Sequence, residues 1–138
     1  MKAKKIDEAW ALRLDPGEPI AASIRDFCEK EKIRAGSLTG IGSCRNPTLG
    51  FFDWEKKAYH DRTLSGDFEI AGLSGNIGVF EGKALVHLHA TLGDSELRAW
   101  AGHLREAETC AVCEIILRPL AGELIRQRDP ETGMTPWA

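Results

Sequence analysis

In the segment ALVHLHATL, residues 84–92, every second side chain is apolar, which predicts a half-buried β-strand. His87 and His89 share one face, because side chains two residues apart in a strand point the same way and stand roughly 6.5 to 7 Å apart along it. The opposite, apolar face consists of Ala84, Val86, Leu88, Ala90 and Leu92. The strand therefore presents two imidazoles together on the face that does not build the core.

A third histidine follows far enough along the chain for the backbone to turn and return. His103 lies fourteen residues beyond His89, and three of the four histidines fall within seventeen residues. Imidazole nitrogens bind zinc at about 2.0 to 2.1 Å, and three histidines with an open fourth position are typical of catalytic zinc sites. We therefore predict that His87, His89 and His103 bind a divalent metal ion, most naturally zinc. Spacing alone leaves the alternative that these are ordinary half-exposed side chains.

Two glutamates interrupt apolar strand patterns and are candidate catalytic residues. Glu69 lies in the segment DFEI, and Glu114 lies in CEII. A carboxylate between apolar neighbours needs water or a partner, and near a metal it can orient a ligand histidine or act as a general base. We favour Glu114 slightly over Glu69 for this role; a salt bridge at an edge or subunit boundary is the alternative. His60, in a polar segment, is expected to be an ordinary surface histidine.

One helix is predicted near the N-terminus. Pro19 suits the first helical position, and the negative charge of Glu18 interacts favourably with the positive N-terminal end of the helix dipole. Apolar side chains then recur at helical spacing, so residues 19–32 should form one amphipathic helix. These side chains are Ile20, Ile24, Phe27 and Cys28.

The rest of the pattern predicts β-strands separated by glycine-containing turns. The predicted strands are 10–14, 37–42, 47–54, 57–64, 67–74, 77–80, 84–92 and 110–120, with 123–128 as a further edge strand. Residues 95–108 show a mixed pattern and are predicted to be irregular. With no linker or repeat, residues 1–138 are expected to form a single α+β domain of mainly antiparallel sheet, with its core at about 10–128 and a loose tail at 129–138.

The composition argues against several classes of function. The formal net charge is -3 and no basic stripe is present, which disfavours binding to DNA. No apolar run reaches the roughly 20 residues that span a bilayer, so a cytoplasmic protein with reduced cysteines is expected.

Cys110 and Cys113 have the spacing of a redox or zinc pair, but positions i and i+3 of a strand point to opposite faces. We expect these two cysteines to be small core residues.

Several short motifs follow one another along the chain. They are RLDPGE at 13–18, AGS at 35–37 with GIG at 40–42, GDFEI at 66–70 with LSG at 73–75, VHLH at 86–89, AGHL at 101–104 and DPETG at 129–133. In this order they resemble the PPC (plants and prokaryotes conserved) domain family, from about residue 10 to residue 133. Ala101 departs from the family pattern, which usually has a glycine there, and this change leaves the histidine in place.

The resemblance implies antiparallel strands with a flanking helix, commonly assembled as a homotrimer. In prokaryotic members the positions of His87, His89 and His103 can bind a metal. Plant members carry an AT-hook whose Arg-Gly-Arg-Pro core enters the DNA minor groove, and this chain lacks that core.

The favoured function is therefore a metal-dependent enzyme or a binder of a small molecule of unknown identity. A DNA-binding or DNA-associated regulatory module, which the family label suggests, is the alternative. The placement of Arg13, Arg45 and Arg98 decides whether any of them lines a pocket for an anionic ligand.

Overall fold

Seven β-strands and one α-helix make up the chain, of which the computed structural model describes residues 1–138. The strands are β1 (Lys2–Ile6), β2 (Ala9–Leu14), β3 (Gly36–Asp53), β4 (Ala58–Thr63), β5 (Asp67–Phe80), β6 (Lys83–Gly93) and β7 (Ala99–Pro119), and the helix is α1 (Ile20–Lys30). Every pairing between these strands is antiparallel. The predicted α+β fold is confirmed. No helix in the structure combines the length and the apolar character that crossing a membrane requires.

The strands form one sheet in the order β1-β2-β7-β6-β5-β3-β4, and β3 also pairs with β7. This additional pairing closes β7, β6, β5 and β3 into a ring. Strands β2 and β1 extend the sheet from β7, and β4 extends it from β3. The register of β3 on β7 shifts three times between Gly42 and Leu49. Bulges of this kind bend and twist a strand, which allows a sheet to close on itself.

The apolar faces of the ring strands and of α1 share one hydrophobic core. The buried side chains of α1 are Ile20, Ile24, Phe27 and Cys28, as predicted. The apolar face predicted for β6 is buried at Ala84, Leu88, Ala90 and Leu92, and Val86 is half-buried. The face of β6 that carries His87 and His89 is therefore the one turned away from this core.

The N-terminus of α1 is capped by a side chain from another element. Pro19 is the N-cap residue and makes no side-chain cap. Glu106 of β7 accepts hydrogen bonds from the backbone N–H groups of Ala21, at 2.8 Å, and Ala22, at 3.0 Å. Glu18, expected to serve the helix dipole, instead pairs with the N-terminal amine. The first turn of the helix thus depends on β7.

Several strand predictions differ from the structure. Strand β3 continues through the loop expected at 43–46, and β5 continues through Gly75. The irregular excursion predicted for 95–108 is wrong, because from Ala99 onward these residues begin the 21-residue strand β7. The prediction also missed β1, all five of whose side chains are exposed. Three of them are lysines, which protect an edge strand against pairing with other chains.

The segment after β7 folds back against the sheet. Ile125 makes an isolated parallel bridge to β5, and Arg126 makes an isolated bridge to Trp137. Residues 123–128 therefore contribute single bridges in place of the predicted edge strand. Further backbone hydrogen bonds connect residues 129–138 to this segment, where the sequence predicted a loose tail.

Candidate metal centre

Three histidines approach one another where β6 pairs with β7. His89 of β6 is the direct partner of His103 of β7, and His87 lies two residues before His89 in the same strand. The ring centroids are 5.1 Å apart for His87 and His89, 5.1 Å for His87 and His103, and 5.6 Å for His89 and His103. One ring nitrogen from each histidine lies within 4.8 Å of those of the other two. Three nitrogen donors this close match the donor set of a zinc site.

The lowered pKa values of two of these histidines favour the binding of a metal cation. His87 and His103 are half-buried, and His89 is exposed. Burial, then the Arg105 guanidinium and the two neighbouring imidazoles, lowers the pKa of His103 to about 4. Burial, and then the charges of His89 and Arg126, also lowers the pKa of His87. Both rings are therefore neutral at pH 7 and offer a nitrogen lone pair to a metal ion.

His103 has a polar atom that no protein group satisfies. Its Nδ1 is buried without a hydrogen-bond partner, and its Nε2 lies 3.4 Å from Nη1 of Arg105. Arg105 stacks 4.0 Å from the ring centroid of Tyr59, and its Nε donates to the carboxylate of Asp61 at 3.1 Å. A buried ring nitrogen without a partner is rare in folded proteins, and a bound ligand commonly satisfies such an atom. The residues present fit a divalent metal ion.

A cavity of about 520 Å³ opens beside His87 and His103. Its walls come from β4, β6, β7 and the C-terminal segment, and both Arg105 and Arg126 line it. Its apolar lining includes Leu85, Val86, Met134 and Pro136, and the ring of Tyr59 also lines it. No carboxylate lines this cavity. A space of this size suits a small molecule, which would touch the histidines at one end.

The structure does not bring the two candidate glutamates to the histidines. Glu114 lies on β7 eleven residues beyond His103, opposite Arg13 of β2, and lines a separate groove of about 710 Å³. Eleven residues of extended strand correspond to roughly 36 Å at the rise of a β-strand. Glu69 is exposed on β5, where its partner on β6 lies four residues beyond His89. Neither glutamate is part of the three-histidine cluster.

His60 and the cysteines also lie apart from the cluster. His60 is exposed on β4, as expected for a surface histidine. All four cysteines are free thiols; Cys113 is buried and Cys110 is half-buried. Burial raises the pKa of Cys113 to about 11, which leaves its thiol protonated and unreactive at neutral pH. Cys113 is thus a core residue, as predicted, whereas Cys110, expected in the core as well, is not among the buried core residues.

The arginines near the histidines are not those considered from the sequence. Arg13, Arg45 and Arg98 each form an ion pair with an aspartate, at 2.7, 2.6 and 2.9 Å, and none lines the cavity beside the histidines. Sequence reasoning missed Arg105 and Arg126. The sequence could have indicated Arg105, because it lies two residues after His103 and side chains at this spacing in a strand share a face. Arg126 carries no such signal, because the return of the C-terminal segment places it there.

Comparison with known proteins identifies relatives across most of the chain. The family model of the Plants and Prokaryotes Conserved (PCC) domain, the family abbreviated PPC above, matches residues 1–121. A solved structure from Bacteroides thetaiotaomicron, named a "putative DNA binding protein", has a TM-score of 0.96 and 31% identity, and the match covers 99% of this chain and 96% of that one. The metal-containing protein from Archaeoglobus fulgidus has a TM-score of 0.89 and 35% identity over 97% of this chain and 95% of that one.

One curated protein matches by sequence. The bifunctional protein GlmU of Synechococcus sp. (strain JA-3-3Ab) is 35% identical over 129 residues, which is 90% of this chain. The match spans only 19% of that relative's length. The likeness therefore concerns one part of a longer protein.

Proposed function

The chain belongs to the Plants and Prokaryotes Conserved domain family, and from this membership and the site geometry we propose that it binds one divalent metal ion through His87, His89 and His103. The observation that carries the proposal is the approach of three imidazole nitrogens to within 4.8 Å of one another. Zinc is the favoured ion because imidazole donors and tetrahedral geometry suit it. The relative from Archaeoglobus fulgidus, named a metal-containing protein, supports the proposal.

The surroundings favour a role in catalysis or in small-molecule binding. These three histidines would hold the ion and would leave it a coordination position at which it would supply Lewis-acid chemistry. Arg105, held by Tyr59 and Asp61, keeps a positive charge beside His103. The adjacent cavity of about 520 Å³ gives a small molecule access to His87 and His103.

We also propose that the protein is a cytoplasmic homotrimer. The family resemblance is the basis for the trimer, and the exposure of Ile41 and Ile116 beside the groove of about 710 Å³ is consistent with a contact surface. Four free thiols are consistent with a reducing compartment. Light scattering on the purified protein tests the assembly: we expect three times the chain mass of 15.2 kDa, and a monomeric mass would contradict it.

Metal analysis tests the central proposal. Protein purified without a histidine tag should contain, or take up, one zinc ion per chain. The double variant His87→Gln/His89→Gln should lose this capacity, whereas His60→Gln, which changes an exposed histidine outside the cluster, should keep it. Zinc uptake that is equal in the double variant and in the wild type would show that the ion binds elsewhere.

DNA binding is the alternative function. It is favoured by the name of the relative from Bacteroides thetaiotaomicron, and it is disfavoured by the net charge of -3 and by the missing AT-hook core. A duplex titration at several salt concentrations decides, because phosphate contacts make binding strongly salt-dependent. No measurable binding at low salt would end this alternative.

A further inference from the structure

One buried positive charge beside the candidate metal centre has no negative partner. Arg126 is only 7% exposed, and it takes part in none of the ion pairs of the structure. Its Nη1 donates to the carbonyl oxygen of Thr135 at 2.6 Å, and its Nη2 donates to Oδ1 of Asn76. Its Nε is buried without any hydrogen-bond partner. A buried guanidinium held only by neutral groups is costly, and a bound anion would offset that cost.

Arg126 lies next to the histidine cluster. Asn76, which accepts its hydrogen bond, is the partner of His87 in the pairing of β5 with β6. The positive charge of Arg126 contributes to the lowered pKa of His87, which is consistent with their proximity. Arg126 and His87 both line the cavity of about 520 Å³.

A second guanidinium lines the same cavity. Arg105 lies beside His103, and the carboxylate of Asp61 balances its charge, whereas Arg126 has no such partner. Because no carboxylate lines the cavity, its walls carry an excess of positive charge in a chain whose net charge is -3. The remaining walls include the apolar side chains of Leu85 and Met134. The cavity thus combines two guanidinium groups with an apolar surface, next to the imidazoles of His87 and His103.

We propose that this cavity binds a small organic anion, with a carboxylate or phosphate head on Arg126 and Arg105 and an apolar body against Leu85 and Met134. This proposal deepens the proposed function. It depends on that function in one respect only: the bound anion is taken to be the molecule that reaches the metal ion. The binding of the anion itself depends on the arginines. Guanidinium groups suit this task because their N–H groups match the geometry of carboxylate and phosphate oxygens.

Isothermal titration with matched probes tests the proposal. Phenylacetate and phenyl phosphate carry the two candidate heads on the same apolar ring, and phenylacetamide is the neutral control. We expect at least one of the two anions to bind both the metal-free and the zinc-loaded protein, and phenylacetamide to bind at least tenfold more weakly, on the order of one hydrogen bond to a charged group. The tighter anion identifies the head group. Equal binding of the amide and both anions, or no binding of any probe, would overturn the proposal.

Variants locate the binding to this cavity. Arg126→Met keeps the apolar stem and removes the charge, and it should weaken anion binding about tenfold or more. Arg128→Met removes an exposed charge two residues away and should leave the affinity unchanged. Leu85→Trp narrows the cavity and leaves both arginines in the sequence, so it decides the question if Arg126→Met does not fold. Wild-type affinity in a folded Arg126→Met protein, or in Leu85→Trp, would overturn the proposal.

The same titrations separate this inference from the metal proposal. In chelator-treated wild type, the anion should still bind, because Arg105 and Arg126 are intact. Zinc binding without anion binding would overturn this inference alone. Anion binding that Arg126→Met weakens, in a protein that never takes up zinc, would support the anion site and contradict the metal site.

Discussion

His89 and His103 are direct partners in the antiparallel pairing of β6 with β7, and their ring centroids are 5.6 Å apart. Next to the turn that connects the two strands, the last pair is Gly93 with Ala99. Residues 94–98 therefore set the register of the two strands. A slip of one residue would turn His103 to the opposite face of the sheet, away from the other histidines.

Asp94 holds that turn together, and its effect on stability should depend on pH. Its carboxylate accepts hydrogen bonds from the backbone N–H groups of Glu96 and Arg98 and from Nε1 of Trp100. Burial acts to raise the pKa of Asp94, but these hydrogen bonds outweigh it and lower the pKa from 3.8 to about 2. A lowered carboxyl pKa stabilises the fold fully above the unfolded value of 3.8, and this contribution is lost as the pH falls through about 2.

We predict that Asp94→Asn lowers the Tm at pH 7, and that this deficit shrinks as the pH falls from about 4 to about 2. Thermal unfolding followed by circular dichroism across this range measures it. Asp26→Asn, at an exposed position of α1, is the control and should follow the wild type. A deficit that stays constant from pH 7 to pH 2 would show that the charge of Asp94 is not responsible.

A bound metal ion should stabilise the folded chain. Because an ion that binds only the native state adds RT ln(1 + [L]/Kd), zinc at a hundredfold excess over Kd should raise the free energy of unfolding by about 2.7 kcal/mol. We predict this shift for the wild type and for His60→Gln, and none for His103→Gln. Denaturant unfolding of chelator-treated protein with and without added zinc measures it. An unchanged zinc response in His103→Gln would remove His103 from the ligand set.

Gly75 is needed where β5 passes β6 closely. A Cβ added there would lie 2.2 Å from the backbone oxygen of His87 and 2.7 Å from Cδ2 of Leu88, whereas a Cβ at Gly72 meets nothing within 4 Å. We predict that Gly75→Ala costs about 1 to 3 kcal/mol of unfolding free energy and weakens zinc binding, because β6 must shift. Gly72→Ala should change stability by less than about 0.5 kcal/mol. Urea unfolding and zinc titration of this matched pair test it, and equal effects would refute the steric argument.

The cap that β7 supplies to α1 should also be measurable. Glu106 accepts hydrogen bonds from the N–H groups of Ala21 and Ala22. We predict that Glu106→Gln costs about 1 to 2 kcal/mol of unfolding free energy, in the range of a lost helix cap. Glu108→Gln changes an exposed glutamate of the same strand and should be near neutral. Urea denaturation compares the two; similar losses would mean that the capping bonds contribute little.

The sequence was most informative where one face of an element is buried and the other is exposed. The periodicity of α1 and the alternation in β6 follow directly from burial, and both were predicted. His87 and His89 could be placed on one face for the same reason. The approach of His103 needed the resemblance to a family as well, because the segment that carries it showed no clear period.

Several of the errors have a common physical cause in the closed ring. Gly42 and Gly75 resemble strand ends in sequence, but a Cβ at either position would lie 2.2 Å from a backbone oxygen of the neighbouring strand, so both mark close contacts inside long strands. The bulges that bend β3 against β7 shift the alternation of buried side chains along these strands. For this reason the first half of β7 shows no regular alternation of buried and exposed side chains in the sequence. Arg126 was missed because only tertiary contacts bring it to the cavity.

The closed ring also determines how the histidines can move. His89 has Ser74 of β5 on one side and β7 on the other, and His103 lies between β6 and Gly50 of β3. Neither strand has a free edge at these positions, so neither can fray without breaking hydrogen bonds on both flanks. Amide hydrogens of His89 and His103 should therefore exchange with deuterium slowly, and a bound ion should be able to dissociate without local opening of the backbone at these two residues.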